Sequence, residues 1–396
     1  MKNLSQKLSV VLMTSLPLLM LSCENPKKQS DNIVLIKNDT EPIETPVKAE
    51  NSIQVALLLD TSNSMDGLID QAKSRLWNIV NTLTTLKYKG HSPDIQISLY
   101  EYGNSGLSKD TNYIRQVTPL TTDLDLISEK LFALRTNGGN EYCGAVIKAS
   151  KNQLDWDDNT KSMKLIYIAG NEGFNQGGVD YREAISDVVH NNIYVNTIFC
   201  GDKQEGINLQ WKEGAVLGNG KYFNIDSNRK IHYIVTPYDD QIDLYNSKLN
   251  DTYVGYGTIG YEKKELQSVQ DSNAESISKQ NKVERIVAKS KKNAYKNSSW
   301  DLVDKYEENK AVLEDLEETA LPEELKGRTK EEKEAYIKKK KDEREKIQKE
   351  IKELSKKRAG FIKTQQKDNP NTEDDLGKAI EKSILEIALA NGFNQG

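Results

Sequence analysis

The sequence predicts an α/β fold with a doubly wound, mostly parallel sheet, followed by an α-helical C-terminal region. Three observations support this prediction: short apolar runs alternate with helix-like segments, polar residues directly follow the first run, and the composition becomes highly charged near residue 260. Strands that alternate with helices indicate βαβ crossovers and therefore parallel strands. The 396 residues, 36% of them hydrophobic, are enough for a domain core and a solvated region beside it.

The predicted strands are short apolar runs with little alternation, which is typical of strands covered on both faces. They lie at 53–59, 95–99, 164–169, 193–199 and 221–225. Helix-like segments lie between most of them, at 65–87, 124–135, 141–154, 180–190 and 209–217. A further run at 113–117 follows a loop rich in Gly, Asn and Asp, which predicts an antiparallel edge strand. Residues 51–260 are therefore predicted to form one α/β domain.

The N-terminal residues predict export. Lys2 and Lys7 precede an apolar run that is too short to cross a bilayer, so residues 1–22 are predicted to be a signal peptide. The Ser-Cys pair ending at Cys23 resembles the lipobox of bacterial lipoproteins, which implies a lipid anchor on Cys23 in the bacterial cell envelope, with the outer membrane as the expected site. An ordinary signal peptide with an incidental Cys23 is the alternative. The polar residues 23–50 are predicted to be a flexible, lipidated linker.

Polar residues directly follow the first predicted strand. Asp60, Ser62 and Ser64 would present one carboxylate and two hydroxyls at the carboxyl edge of the sheet, where open α/β sheets bind ligands. Oxygen donors of this kind suit Mg²⁺ or Ca²⁺. This loop, between a strand and a helix, resembles the Asp-x-Ser-x-Ser motif of the von Willebrand factor type A domain. The resemblance implies a metal-ion-dependent adhesion site, whereas a helix cap and turn rich in Ser and Asp is the alternative.

The resemblance continues along the domain and implies further ligands. A Gly-rich turn carries Asn140 and Glu141 where the family has its second-loop ligand. After the fourth strand, Gly170 replaces the family's ligating Asp, and Glu172 could restore the missing charge. The implied cofactor is Mg²⁺, or Mn²⁺ or Ca²⁺, and the candidate ligands are Asp60, Ser62, Ser64, Asn140, Glu141 and Glu172. A relic site whose face recognises partners without metal is the alternative.

Two cysteines remain after Cys23. Cys143 and Cys200 are both expected near the carboxyl edge of the sheet, and an exported protein favours pairing of leftover thiols. A disulfide between them is therefore one expectation. Two buried thiols that behave as small apolar side chains are the other.

The last third of the chain, 261–396, is predicted to be a charged helical region. Helix-forming segments lie at 287–316 and 325–362, and Ile347, Ile351, Leu354 and Phe361 form a narrow apolar stripe that predicts a short coiled coil. Arg344 and Arg358 interrupt the stripe, which argues against a long coiled coil.

The composition and motifs favour a binding protein. A formal charge of −5 argues against general nucleic-acid binding, and no catalytic or nucleotide-binding motif is present, so no enzyme is expected. We expect an exported, lipid-anchored protein that recognises a protein or polymer partner through an acidic group of that partner, with membrane contact through the lipid alone. Two alternatives are a metal-independent scaffold of an envelope assembly, with contacts made by the helical arm, and a hydrolase that uses a divalent metal.

Overall fold

A sheet with six strands forms the centre of the structure, a computed structural model that describes residues 51–225, 233–368 and 375–396. The strands are β1 (Ser52–Asp60), β2 (Leu86–Tyr88), β3 (Asp94–Tyr102), β4 (Ile114–Thr121), β5 (Met163–Gly170), β6 (Ile193–Cys200), β7 (Asn219–Ile225) and β8 (Phe393–Gln395). The order in the main sheet is β4-β3-β1-β5-β6-β7, and its neighbours pair in parallel except β4, which is antiparallel to β3. The predicted fold class and the antiparallel edge strand are confirmed. β2 and β8 form a separate antiparallel pair.

Helices cover both faces of this sheet. They are α1 (Asp66–Leu83), α2 (Leu124–Ala133), α3 (Cys143–Gln153), α4 (Tyr181–His190), α5 (Lys203–Asn208), α6 (Trp211–Leu217), α7 (Asp239–Asn250), α8 (Gly260–Ile277), α9 (Lys279–Lys289), α10 (Leu302–Glu308), α11 (Val312–Asp315), α12 (Lys330–Asp368) and α13 (Asp375–Ala390). Short 3-10 turns lie at Asn63–Met65, Lys109–Thr111, Glu318–Ala320 and Glu323–Leu325.

The central strand β1 is buried on both faces because its side chains alternate between two apolar layers. Val55 and Leu57 face a layer that includes Trp77 of α1. Ala56 and Leu58 face the opposite layer, formed with α3 and α4. This double burial explains why the sequence of the strand shows little polar alternation.

The C-terminal helices pack on the same core as the sheet. Ile286 of α9, Ile351 of α12 and Ile384 of α13 belong to the apolar cluster that contains Leu57 and Trp77. All described residues fall in one compact unit. The helical region therefore covers the α1 face of the sheet, and the expected arm is wrong.

Two arginines expected to interrupt the apolar stripe of α12 instead anchor this helix. The Arg344 guanidinium is buried and donates to Asp301 Oδ2 at 2.7 Å. Arg358 is likewise buried and donates to Asp239 Oδ1 at 2.9 Å. The stripe itself packs α12 on the domain, with Ile351 and Leu354 buried.

The predicted helix at 287–316 is also wrong in extent, because α9 ends at Lys289 and the chain is not helical again until α10. Lys291 just after α9 donates from Nζ to Asn81 Oδ1 at 2.9 Å and to Thr84 Oγ1 at 2.7 Å, at the C-terminal end of α1. Because the chain leaves helical geometry after α9, the Lys291 ammonium group lies at the C-terminal end of α1, where a positive charge is favourable.

The described residues contain no helix that is both long enough and apolar enough to cross a membrane. The predicted signal peptide, the linker and Cys23 lie outside the described residues.

Candidate functional site

The first predicted ligands lie together in one turn at the carboxyl end of β1. The Asp60 side chain is fully buried, and the Ser62 N–H donates to its Oδ1 at 2.7 Å. This contact stabilises a sharp turn of the chain. Asp side chains commonly form such turns by accepting from the N–H of the residue two positions later. Ser62 Oγ then lies 3.1 Å from Ser64 Oγ, and Ser64 is exposed. One carboxylate and two hydroxyls are therefore close together, as their spacing predicts.

The loop before α3 brings a second carboxylate to this turn. Glu141 is only 4% exposed, and the loop is fixed to the first turn by the Asn63 N–H, which donates to the Gly138 carbonyl at 2.8 Å. The other second-loop candidate, Asn140, is engaged elsewhere because its Oδ1 accepts from Tyr142 Oη at 3.4 Å. Glu141 is thus the member of the predicted pair that reaches Asp60.

The two carboxyl groups interact electrostatically. Burial raises the pKa of Asp60 well above its usual range, and the nearby Glu141 charge raises it further. Burial is also the main cause of the raised pKa of Glu141, while hydrogen bonds from its surroundings, including the Ser62 hydroxyl, act in the opposite direction. Two buried like charges at such short range favour a shared proton or a bound cation.

A glycine makes room for this pair. Gly103, directly after β3, has a φ of +81°, and a Cβ atom there would lie 2.7 Å from Asp60 Oδ1 and 2.9 Å from Glu141 Cγ. Both distances are shorter than van der Waals contact. Any larger residue would therefore strain the backbone and push the carboxyl groups out of place.

The third loop contributes an amide where the family resemblance implies a carboxylate. A Cβ atom on Gly170 would lie 2.6 Å from Tyr102 Oη and 3.3 Å from Asp60 Cβ, so this position has no room for an acidic side chain. The next residue, Asn171, reaches the first turn, and its Oδ1 accepts from Ser64 Oγ at 3.3 Å. The predicted substitute, Glu172, is exposed, and its Oε2 accepts from Gln176 at 3.3 Å.

Two oxygens of the site lack hydrogen-bond partners. Asp60 Oδ2 and Glu141 Oε2 are buried, and neither accepts a hydrogen bond from an N–H group or a hydroxyl of the described residues. Leaving buried carboxylate oxygens unpaired is costly, so a cation would stabilise them. No three His, Cys, Asp or Glu side chains cluster in the described residues, and the remaining donors near this pair are hydroxyl and amide oxygens. Such a set fits a hard cation such as Mg²⁺ better than a thiolate- or imidazole-bound metal.

The predicted disulfide between Cys143 and Cys200 is not formed, and both thiols are free and buried. Cys143 packs in the apolar layer with α3 and α4, whereas Cys200 packs in the opposite layer with α1. Both lie near the carboxyl edge as expected, but the sheet separates them. Burial raises the pKa of each thiol, which keeps both protonated.

Sequence reasoning missed two residues that shape the site. Asn171 follows the last residue of β5, the strand next to β1, so its place after a strand end was a usable signal. Gly103 follows β3 in the same way, but the predicted strand ended at residue 99, and the contact with Asp60 depends on the full length of β3.

Comparisons with known proteins identify a family for the sheet region. The family model described as von Willebrand factor type A domain matches residues 54–236. No curated protein matches the chain. Similar solved structures include BatB from Bacteroides thetaiotaomicron, which is 16% identical with a TM-score of 0.35 over 44% of this chain and 91% of that chain.

Two further structures are similar at the same level. A von Willebrand factor type A protein from Catenulispora acidiphila is 17% identical, with a TM-score of 0.33 over 44% of this chain and 39% of that one. Proximal thread matrix protein 1 from the mussel byssus was solved with zinc in its metal-ion-dependent adhesion site (MIDAS) motif. It is 11% identical, with a TM-score of 0.33 over 47% of this chain and 44% of that one. From the family match and the observed sheet, this chain carries a von Willebrand factor type A domain at residues 54–236.

Proposed function

We propose that this chain is a binding protein that recognises an acidic group of a protein or polymer partner through a divalent cation at the carboxyl end of β1. The observation that carries the proposal is the pair of buried, unpaired carboxylate oxygens, Asp60 Oδ2 and Glu141 Oε2. A proton shared by the two carboxyl groups would remove only one of their charges, whereas a divalent cation would neutralise both.

The residues that would hold the cation are oxygen donors from all three loops. Asp60 and Glu141 supply the charge, Ser62 and Ser64 supply hydroxyls, and Asn171 supplies an amide oxygen. Mg²⁺ is the cation that we expect first, with Mn²⁺ and Ca²⁺ as alternatives, because all three prefer oxygen ligands. Asn140 and Glu172 would lie at the rim, where each already has a hydrogen-bond partner.

The absence of room for a carboxylate at Gly170 supports an anionic partner. Because the third loop supplies an amide instead of a carboxylate, the site has two carboxylates. Their combined negative charge does not exceed the positive charge of a divalent ion. Such an ion, when bound, supplies a Lewis-acid position for a partner's carboxylate. The chain's own residues would hold the loops rigid: the Asn63 N–H bond to Gly138 and the Thr61 N–H bond to the Tyr102 carbonyl at 2.9 Å join them.

The proposal is tested by calorimetric titration of Mg²⁺, Mn²⁺ and Ca²⁺ into the chelator-treated full chain. We expect binding to the wild type, and we expect Asp60→Asn to abolish it. Asp70→Asn is the control, because Asp70 is a largely exposed carboxylate on α1 and its loss should leave the affinity unchanged. Undiminished binding by Asp60→Asn, or no binding by the folded wild type, would remove the proposal.

We also propose that the protein is exported and anchored through a lipid on Cys23, on the strength of the Lys-apolar-Ser-Cys leader. The expected result is that mass spectrometry of the membrane-bound chain finds a lipid on Cys23, and that the Cys23→Ser variant carries none. A membrane-bound chain whose Cys23 carries no lipid would contradict the anchor and leave the metal site unaffected.

A further inference from the structure

Two tyrosines form an aromatic pair beside the candidate metal site. The rings of Tyr113 and Tyr142 lie 6.0 Å apart between centroids at an interplanar angle of 65°, which is a T-shaped arrangement. Both side chains are half-buried, so each keeps part of its ring accessible. Tyrosine with accessible ring surface is enriched among residues that dominate protein interfaces.

Tyr113 is held in place by strained backbone. Asn112 and Tyr113 have φ values of 54° and 55°, and two successive non-glycine residues in the left-handed region are unusual. The Tyr113 carbonyl accepts from the Gly103 N–H at 3.1 Å, and Gly103 is the residue that lies against Asp60. Strain of this kind persists only where the surroundings enforce it, and it is concentrated at functional sites.

Tyr142 is fixed from the other side. It directly follows Glu141, and its hydroxyl donates to Asn140 Oδ1 at 3.4 Å. The backbone of Gly177 lies against its ring, since a Cβ atom at that position would be 2.8 Å from Cγ. Tyr142 therefore lies in the loop that carries Glu141, and Tyr113 is linked through Gly103 to the position against Asp60 and Glu141.

We propose that the Tyr113–Tyr142 pair selects a protein partner in which an aromatic side chain lies next to the acidic group. This inference rests on the proposed metal-dependent binding and adds the chemistry of the neighbouring residue. In a T-shaped pair the edge of one ring covers the face of the other, which disfavours the flat stacking of a sugar ring. The same arrangement favours the addition of a further aromatic ring, edge to face.

The test compares two small carboxylates, acetate and phenylacetate, by ligand-detected NMR titration of the full chain in saturating Mg²⁺. We expect phenylacetate to bind about five- to tenfold more tightly than acetate, because its ring can contact the tyrosine pair. Tyr113→Asn should abolish this preference while the acetate affinity stays the same. Asparagine tolerates the left-handed backbone at this position, so the loop should keep its conformation. Tyr113→Phe retains the ring and should retain the preference.

The outcomes separate this inference from the function on which it rests. Mg²⁺ binding with equal affinities for acetate and phenylacetate, or a preference that survives Tyr113→Asn, would overturn the role of the tyrosines alone. Tighter binding of glucuronate than of phenylacetate would also overturn it, in favour of an acidic glycan. No Mg²⁺ binding by the wild type would overturn both proposals.

Discussion

The guanidinium of Arg285 lies over the indole ring of Trp77, 4.8 Å from the ring centroid, and both side chains are fully buried. Trp77 is on α1, the helix that begins directly after the candidate metal loop, and Arg285 is on α9 in the C-terminal region. The contact therefore joins the helix behind the site to residues more than two hundred positions later. It is the centre of a buried charge network that fixes the C-terminal helices to the sheet.

Two carboxylates neutralise this arginine. Arg285 donates to Asp125 Oδ1 of α2 at 2.6 Å and to Asp271 Oδ1 of α8 at 2.7 Å. Lys289 Nζ adds a contact with Asp271 Oδ2 at 2.8 Å. Three helices, α2, α8 and α9, thus share one set of buried charges, and Arg285 is the member that contacts both carboxylates.

Arg285→Met is expected to destabilise the protein strongly. In this variant Asp125 loses its arginine partner, and Asp271 keeps only one of its two cations, in an interior that excludes water. Breaking a buried ion pair of this kind costs about 3–5 kcal/mol of folding free energy. The free energy of unfolding in urea measures this. The control is Arg182→Met, whose exposed ion pair with Glu213 should contribute less than about 1 kcal/mol. Equal losses in the two variants would contradict the structural role of the network.

The stability of the protein should depend on pH through Asp271. Burial alone would raise its pKa, but Lys289 and Arg285 outweigh burial and hold the pKa of Asp271 well below its usual range. A carboxyl group with a lowered folded-state pKa adds stability above its unfolded-state pKa, about 3.9, and this stability is lost as the pH falls through the folded-state value. Asp271→Asn should therefore be less stable than wild type at pH 7, and the difference should shrink from about pH 5 downward. Stability curves that stay parallel from pH 7 to pH 2 would contradict the prediction.

The α/β part of the fold was predictable because its signals are local. The run at 53–59 is apolar except for Gln54, and β1 is buried on both faces as such a run implies. The first metal loop was predictable for the same reason, since Asp60, Ser62 and Ser64 lie within five residues of one another. Residues that come directly after a strand in the sequence also lie at the end of that strand in space.

The placement of the C-terminal helices was not predictable in the same way, because it depends on partners distant in sequence. Arg344 and Arg358 looked like interruptions of an apolar stripe, yet Asp301 and Asp239 neutralise them. A charged residue within an apolar stripe stays exposed to solvent only when folding brings no opposite charge next to it. Of the two expectations for Cys143 and Cys200, the disulfide is wrong and the free, buried thiols are confirmed, because the two residues pack on opposite faces of the sheet.

Gly103→Ala should disrupt the candidate site by steric contact. An added Cβ would lie 2.7 Å from Asp60 Oδ1, and the φ of +81° is unfavourable for alanine. The matched control is Gly90→Ala, because Gly90 has a φ of +86° with no atom within 4 Å of an added Cβ. The control should lose about 1 kcal/mol of stability from backbone strain alone. Gly103→Ala should lose more and should also weaken Mg²⁺ binding. Equal stability losses with unchanged Mg²⁺ affinity would show that the space at residue 103 is not required.

The α/β segment is expected to depend on the C-terminal helices for folding. A fragment of residues 51–260 would expose the apolar layer that Val283, Ile286 and Ile384 cover, and it would leave Asp125 without Arg285. Losing this much buried apolar surface costs several kcal/mol, comparable to the whole stability of a domain. We therefore expect the fragment to show no cooperative urea unfolding by circular dichroism, and we expect separately expressed residues 261–396 to restore it. Cooperative unfolding of the fragment alone would contradict this, and would make the helical region a separable arm on which the scaffold alternative could rest.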